Sequence, residues 1–220
     1  MAKPQTARVP AQIDAVERIL AAAETLFAEH GFDAVSMSAI GEAAGVCKAN
    51  VFHHFTTKND LYLAVLRNAC RDAVQHLDEL SNEEAPLTAR LPQFAHAHLA
   101  SLLEHGQMTR LMLRELLSDN PRQGKELAEK VYGEKFSRFV AILRTGQQTG
   151  ELRADIDPAM VATMLIGANV FFFETREVLR HFPDVRFTQQ PEHYSTMLAD
   201  ILLHGILPPS TATTRNRKRT

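Results

Sequence analysis

Apolar and polar positions alternate along most of this chain with the period of an α-helix. Near the start Val16, Ile19, Leu20, Ala23 and Phe27 fall at i, i+3, i+4, i+7 and i+11, one stripe of an amphipathic helix. "HGF" closes that stripe: Gly31 suits the position past a helix end, and Phe32 can fold back on the last turn. Ser36 has the place and chemistry of an N-cap, with Val35 and Ile40 spaced as a hydrophobic staple around it. A short second helix is expected over 37 to about 44, ended by Gly45. A third begins near residue 47, where Val51 and Phe55 repeat at i, i+4. Two short helices joined through a glycine turn predict a helix-turn-helix.

After Thr57 the pattern predicts a longer helix over 59–80, with Leu61, Ala64, Val65, Ala69 and Leu77 inward. The polar "SNEEAP" at 81–86 is a linker with a proline stop and marks a boundary. Further helices are expected over 87–105, 108–118, 122–149, 158–181 and 191–206, separated by Pro121, "TGELRADIDP" and "HFPDVRF". Pro92 should begin or kink the first of these. The tail "STATTRNRKRT" is polar and basic, with the composition of a disordered segment. No internal repeat is visible. The fold class is all-α.

Composition agrees with that reading. Tryptophan is absent, glycine is sparse, and Leu, Ala and Glu dominate. A net charge of -2 gives no global sign of nucleic acid. Cys47 and Cys70 make no disulfide framework. Residues 1–12 lack the apolar core of a signal peptide, and "MVATMLIGANVFFF" is short for a membrane span and flanked by charges. The expectation is a soluble, cytoplasmic protein.

The charge is local instead. No acidic residue lies between Glu42 and Asp60, while Lys48 and Lys58 bracket the third helix. On a helical wheel Val51 and Phe55 share the inward face, Ala49, Asn50 and His53 lie opposite, and Phe52 and His54 flank them. Small, hydrogen-bonding and aromatic residues on so short a helix suit a surface pressed into the major groove. A local basic patch is what phosphate positioning needs.

From about Arg18 to Leu66 the stretch "ILAAAETLFAEHGFDAVSMSAIGEAAGVCKANVFHHFTTKNDLYLAVL" resembles the DNA-binding domain of the TetR family of bacterial transcriptional regulators. The resemblance implies that Lys48, Ala49, Asn50, Phe52 and His53 approach bases or nearby phosphates. It also implies that His54, Thr57 and Lys58 hold the DNA backbone, and that Ser36, Met37 and Ser38 present the second helix to a phosphate. Phe52 stands where the family usually has tyrosine, and Cys47 replaces the usual Ser or Thr cap. The implied division is a flexible arm at 1–12, a helix-turn-helix domain at 13–58, a helical effector-binding and dimerisation domain at 59–207, and a basic tail at 208–220. The implied partners are a double-stranded DNA operator, a second copy of the chain and a small apolar or amphipathic effector, with no membrane and no cofactor. A repressor released by its effector is the leading reading. A helical small-molecule-binding protein that has lost DNA binding is the alternative.

Other chemistry is poorly supported. His53 and His54 are adjacent, point about 100° apart on a helix, and have no nucleophile or carboxylate placed beside them. His96, His98 and His105 lack the i, i+4 spacing of a metal pair. Cys47 has the setting of a reactive thiol, though a small residue at a serine position explains it equally. In the larger domain Met108, Met112, Phe136, Phe139, Leu143, Met164 and Phe172 recur at helical spacing. Most such residues must be core, yet a mostly apolar effector pocket would use the same letters. Asn169, alone in an apolar run, needs a partner if buried. The last two helices carry more apolar surface than one core layer hides, which predicts a dimer.

Overall fold

The computed structural model describes residues 14–82, 84–117 and 121–206, without the side chains of 121–123 and 206. The expected arm and basic tail lie outside the described residues. No strand is present among them. The chain divides into two compact units, one ending at Asn68 and the other beginning at Ala69.

The first unit holds α1 (Ala15–Ala34), α2 (Met37–Ala43), α3 (Lys48–His54) and all but the last residue of α4 (Lys58–Ala69). Ile19, Ala23 and Phe27 of the α1 stripe are fully buried. Gly31 takes φ 80 and ψ 168, a conformation closed to side-chain-bearing residues, so the helix proper ends there. The Ser36 cap forms: its Oγ accepts from Ala39 N at 3.1 Å, and Val35 and Ile40 are buried as the staple requires. α4 packs into this unit through Tyr62, whose ring lies edge-on to Phe27 at 5.0 Å and against Phe32 at 4.9 Å. The helix expected to open the second domain therefore completes the core of the first.

The second unit contains α5 (Arg71–Ser81), α6 (Leu87–Glu104), α7 (Gly106–Leu116), α8 (Pro121–Leu127), α9 (Gly133–Gln148), α10 (Pro158–Leu179) and α11 (Pro191–Ile206). Its core joins Leu77 and Leu80, Leu91 and Phe94, Phe139 and Leu143, Leu165, and Ala199, with α6 at the centre. α6 runs through Pro92 and has its first N–H bonded by the Glu151 carboxylate, 2.6 Å from Leu87 N. Asp157 caps α10, with Pro158 at the first helical position.

Two expected helices are broken. The helix over 59–80 is α4 and α5, divided at Cys70 (φ -87, ψ 14). The helix over 122–149 runs as α8 and α9 through a π-helical turn, Ala128–Tyr132.

Candidate nucleic-acid interface

α2 and α3 meet closely because Gly41 has no side chain. A β-carbon there would lie 3.0 Å from the Val46 carbonyl oxygen and 3.3 Å from Val51 Cγ2. Val51 anchors α3 from beneath with no exposed surface. Gly45 turns the chain between the two helices at φ 65. The short helix is thus held by one buried residue and a tight turn, and its other side is open. Lys48, Ala49, Phe52, His53 and His54 are all exposed. Lys48 Nζ stands 5.7 Å from the Phe52 ring centre, and the His53 and His54 rings meet edge to face at 5.1 Å. Asn50 is half-buried, and its Oδ1 is buried without a hydrogen bond. Cys47 stands at the N-cap position and forms no side-chain cap bond.

The residues expected around α3 divide into two groups. Ser36 and Ser38 are exposed at the start of α2. Met37, expected beside them, is 7% exposed and belongs to the core, because the staple turns it inward. Thr57 caps α4 in a reciprocal pair: its N and Oγ1 donate to Asp60 Oδ2 at 3.1 and 2.8 Å, and Asp60 N donates to Thr57 Oγ1 at 3.0 Å. Lys58, expected at the DNA backbone, lies elsewhere in this structure. Its ammonium turns back to the α1–α2 connection and donates to the carbonyls of Phe32 (2.8 Å), Asp33 (3.4 Å) and Val35 (3.0 Å), over the Phe32 ring at 4.3 Å. Those carbonyls follow the break at Gly31 and lack helical partners, which is why the cation is drawn there.

The residues considered for an effector also separate. Phe139, Leu143 and Phe172 are almost fully buried, Met108 is buried, and Met112 and Phe136 are half-buried. Met164 does not join them; it is 54% exposed on the outer side of α10. Two surface cavities, of about 590 and 580 Å³, are lined by none of these residues. Asn169 is fully buried, and its amide donates to the Ala95 carbonyl (2.8 Å) and reaches His98 Nδ1 (3.0 Å). Both amide hydrogens are thereby used, so the orientation is fixed and Oδ1 is left buried without a partner. His98 is the neighbour that matters. Burial pushes its imidazole down to about 4, and nearby His76 adds to the effect. His96 pairs with Ser195 (3.3 Å) and His105, just past the end of α6, with Asp72 (3.1 Å), so His96, His98 and His105 have separate partners. Among the described residues no group of His, Cys, Asp or Glu could hold a metal.

A tight two-helix turn presenting an open, acid-free helix defines a helix-turn-helix DNA-binding protein with a larger helical unit on the same chain. Residues 19–65 match the model described as bacterial regulatory proteins, tetR family, and residues 84–184 match that of the tetracyclin repressor-like C-terminal domain. The chain belongs to the TetR family and is a DNA-binding transcriptional regulator. It is 32% identical over 155 residues to the HTH-type transcriptional regulatory protein RaaS of Mycobacterium tuberculosis, covering 70% of this chain and 68% of that protein. It is 29% identical over 150 residues to the HTH-type transcriptional regulator RutR of Escherichia coli, covering 67% and 68%. The fold resembles that of the fatty acid degradation regulator FadR from Bacillus halodurans, with a TM-score of 0.71 and 19% identity over 86% of this chain and 98% of that one.

Proposed function

We propose that this protein is a homodimeric repressor that reads a palindromic operator in the cytoplasm, acts by binding rather than by catalysis, and is released by a small effector. The observation that carries the reading is the exposed face of α3. Lys48, Ala49, Phe52 and His53 project from a helix anchored only by Val51, in a stretch without acidic residues. His53 and Asn50 are the base-reading candidates, and Ser36, Ser38, Lys48 and His54 the phosphate-positioning ones. Thr57 and Lys58 serve indirectly, by fixing the exit of α3.

One seven-residue helix reads few base pairs, so a second copy is needed for affinity. α10 supports its presence. Met160, Met164, Phe171 and Val178 form one stripe, 61%, 54%, 62% and 63% exposed, on the face turned away from Leu165, Asn169 and Phe172. Met197 and Ile201 of α11 are exposed as well. α10 is apolar enough by length and composition to cross a membrane. A core on one face and an identical partner on the other account for that composition. The expected dimer weighs about 49 kDa, twice the 24.6 kDa chain. Charging the stripe, as in Phe171→Glu with Ile201→Glu, should yield monomers by light scattering.

The effector is a lipophilic molecule carrying one hydrogen-bond donor. Asn169 Oδ1 needs a donor, and neutral His98 beside it offers no charge to an anionic group. Release follows population shift: the ligand favours a conformer whose recognition helices no longer match the operator. Sequencing the DNA that purified protein retains from a genomic library tests the DNA reading. Enrichment of a palindromic site supports it, and retention no better than that of a Lys48→Glu, His53→Ala variant contradicts it.

A further inference from the structure

The inward face of α10 does not end with its core. Beyond Phe172 it continues, at i+4 steps, to Arg176 and Arg180, opposite the exposed stripe that ends at Val178. There a cavity of about 590 Å³ is lined by Arg176, Glu177, Arg180, His181, Thr188 and Gln189.

Three features of this cavity are unfavourable as they stand. Two guanidinium groups share one helix face at i, i+4, where like charges repel. Arg176 Nε is buried and makes no hydrogen bond, with Glu177 Oε1 3.6 Å away and out of reach. Thr188 Oγ1 is also buried without a partner. Cations at a helix C-terminus complement its dipole, which explains the arginines but not two silent donors lining one cavity. A single oxyanion would answer all three. The Glu177 carboxylate spans both guanidinium groups, with Oε1 3.6 Å from Arg176 Nε and Oε2 2.8 Å from Arg180 Nη1, and its half-exposed side chain is the internal competitor an oxyanion would displace.

We propose that this cavity binds a small oxyanion, the phosphate or carboxylate group of a metabolite, held between Arg176 and Arg180 with the Thr188 hydroxyl donating to it. Planar guanidinium forks suit both groups, and the volume admits a small metabolite around the anion. The cavity shares no lining residue with the effector candidates, and the proposal does not rest on the DNA reading.

Isothermal titration of the full chain with inorganic phosphate and with succinate, each at ionic strength matched with sodium chloride, tests this. Saturable binding of either anion is expected. Phosphate alone would assign a phosphorylated ligand, and succinate alone a carboxylate. Arg176→Lys keeps the charge but loses the fork, and Thr188→Val loses only the hydroxyl. Each should weaken binding by about tenfold, the worth of one hydrogen bond to a charged group. Glu177→Gln removes the internal competitor and should strengthen it. Circular dichroism confirms folding, and the exposed Glu177→Gln change keeps the test valid if a cavity variant unfolds. Heats no larger than those of chloride, or binding unchanged across all three variants, would overturn the proposal.

Discussion

The first unit and the second use similar letters differently. In the head, Ile19, Ala23, Phe27 and Val51 are buried while the polar and small residues of α3 face out, so core and site fall on different residues. In the second unit one helix serves several surfaces at once. α10 carries core at Phe172, an exposed stripe at Phe171 and Val178, a buried amide at Asn169, and a cationic end at Arg176 and Arg180. A site on a short helix is written into its own neighbourhood. A site inside a helical bundle is assembled from residues far apart in sequence, and periodicity alone cannot separate pocket, partner face and core.

Cutting one large side chain from each core should separate the two units most clearly. Phe27→Ala and Phe139→Ala should each cost about 3–5 kcal/mol in the unit concerned. Calorimetry should show Phe27→Ala lowering a transition that abolishes DNA binding while the dimer mass persists. Phe139→Ala should lower a different transition and loosen the dimer. If both variants shift one common transition equally, the units are a single cooperative body.

Histidine gives the next largest contrast. His53 and His54 are exposed in the head, whereas His98 is held down to about 4 from an ordinary 6.5. The unfolded chain takes up that proton near 6.5 and the folded chain only near 4. The stability is therefore fully present above 6.5 and is lost as pH falls through the window to about 4. The loss is roughly 2–3 kcal/mol. Denaturant unfolding at a series of pH values should show this slope, flattened in His98→Gln. An equal slope in both proteins would place the linkage elsewhere.

Much of the head was legible. Ser36, Val35 and Ile40 announced the start of α2 by spacing alone, and Gly31 and Gly45 marked turns that only glycine makes easily. The place of the Lys58 ammonium is not legible, because a charge pattern locates a side chain's stem and not its end, and this one curls back to carbonyls freed by Gly31. In the second unit the helix count was nearly right, but the break at Cys70 has no glycine or proline to signal it. The π turn at Ala128–Tyr132 likewise leaves the apolar period almost unchanged. The partners of Asn169 lie 71 and 74 positions away, beyond any local reading.

Lys58→Ala should destabilise the first unit by about 1–2 kcal/mol, since two part-buried carbonyls and one exposed one lose a charged donor. The slope of DNA affinity against salt should stay unchanged. A slope lowered by about one without loss of stability would restore the phosphate contact. The smallest effect concerns the thiols. Cys47 is exposed, while burial pushes the Cys70 thiol up to about 11. A thiol reagent at neutral pH should label Cys47 alone in the native protein, and Cys70 only after unfolding; fast labelling of both would contradict the packing of α5.

If the outward face of α3 reads bases, His53 stands at its middle, exposed and held only by its edge-to-face contact with the His54 ring. The direct measurement is the affinity of wild type and His53→Ala for the enriched operator and for single-base variants of it, at fixed salt. His53→Ala should lose about 1–3 kcal/mol, relax preference at one or two base pairs in each half-site, and leave the melting temperature nearly unchanged. Equal affinity and equal preference in the two proteins would contradict base reading by this face.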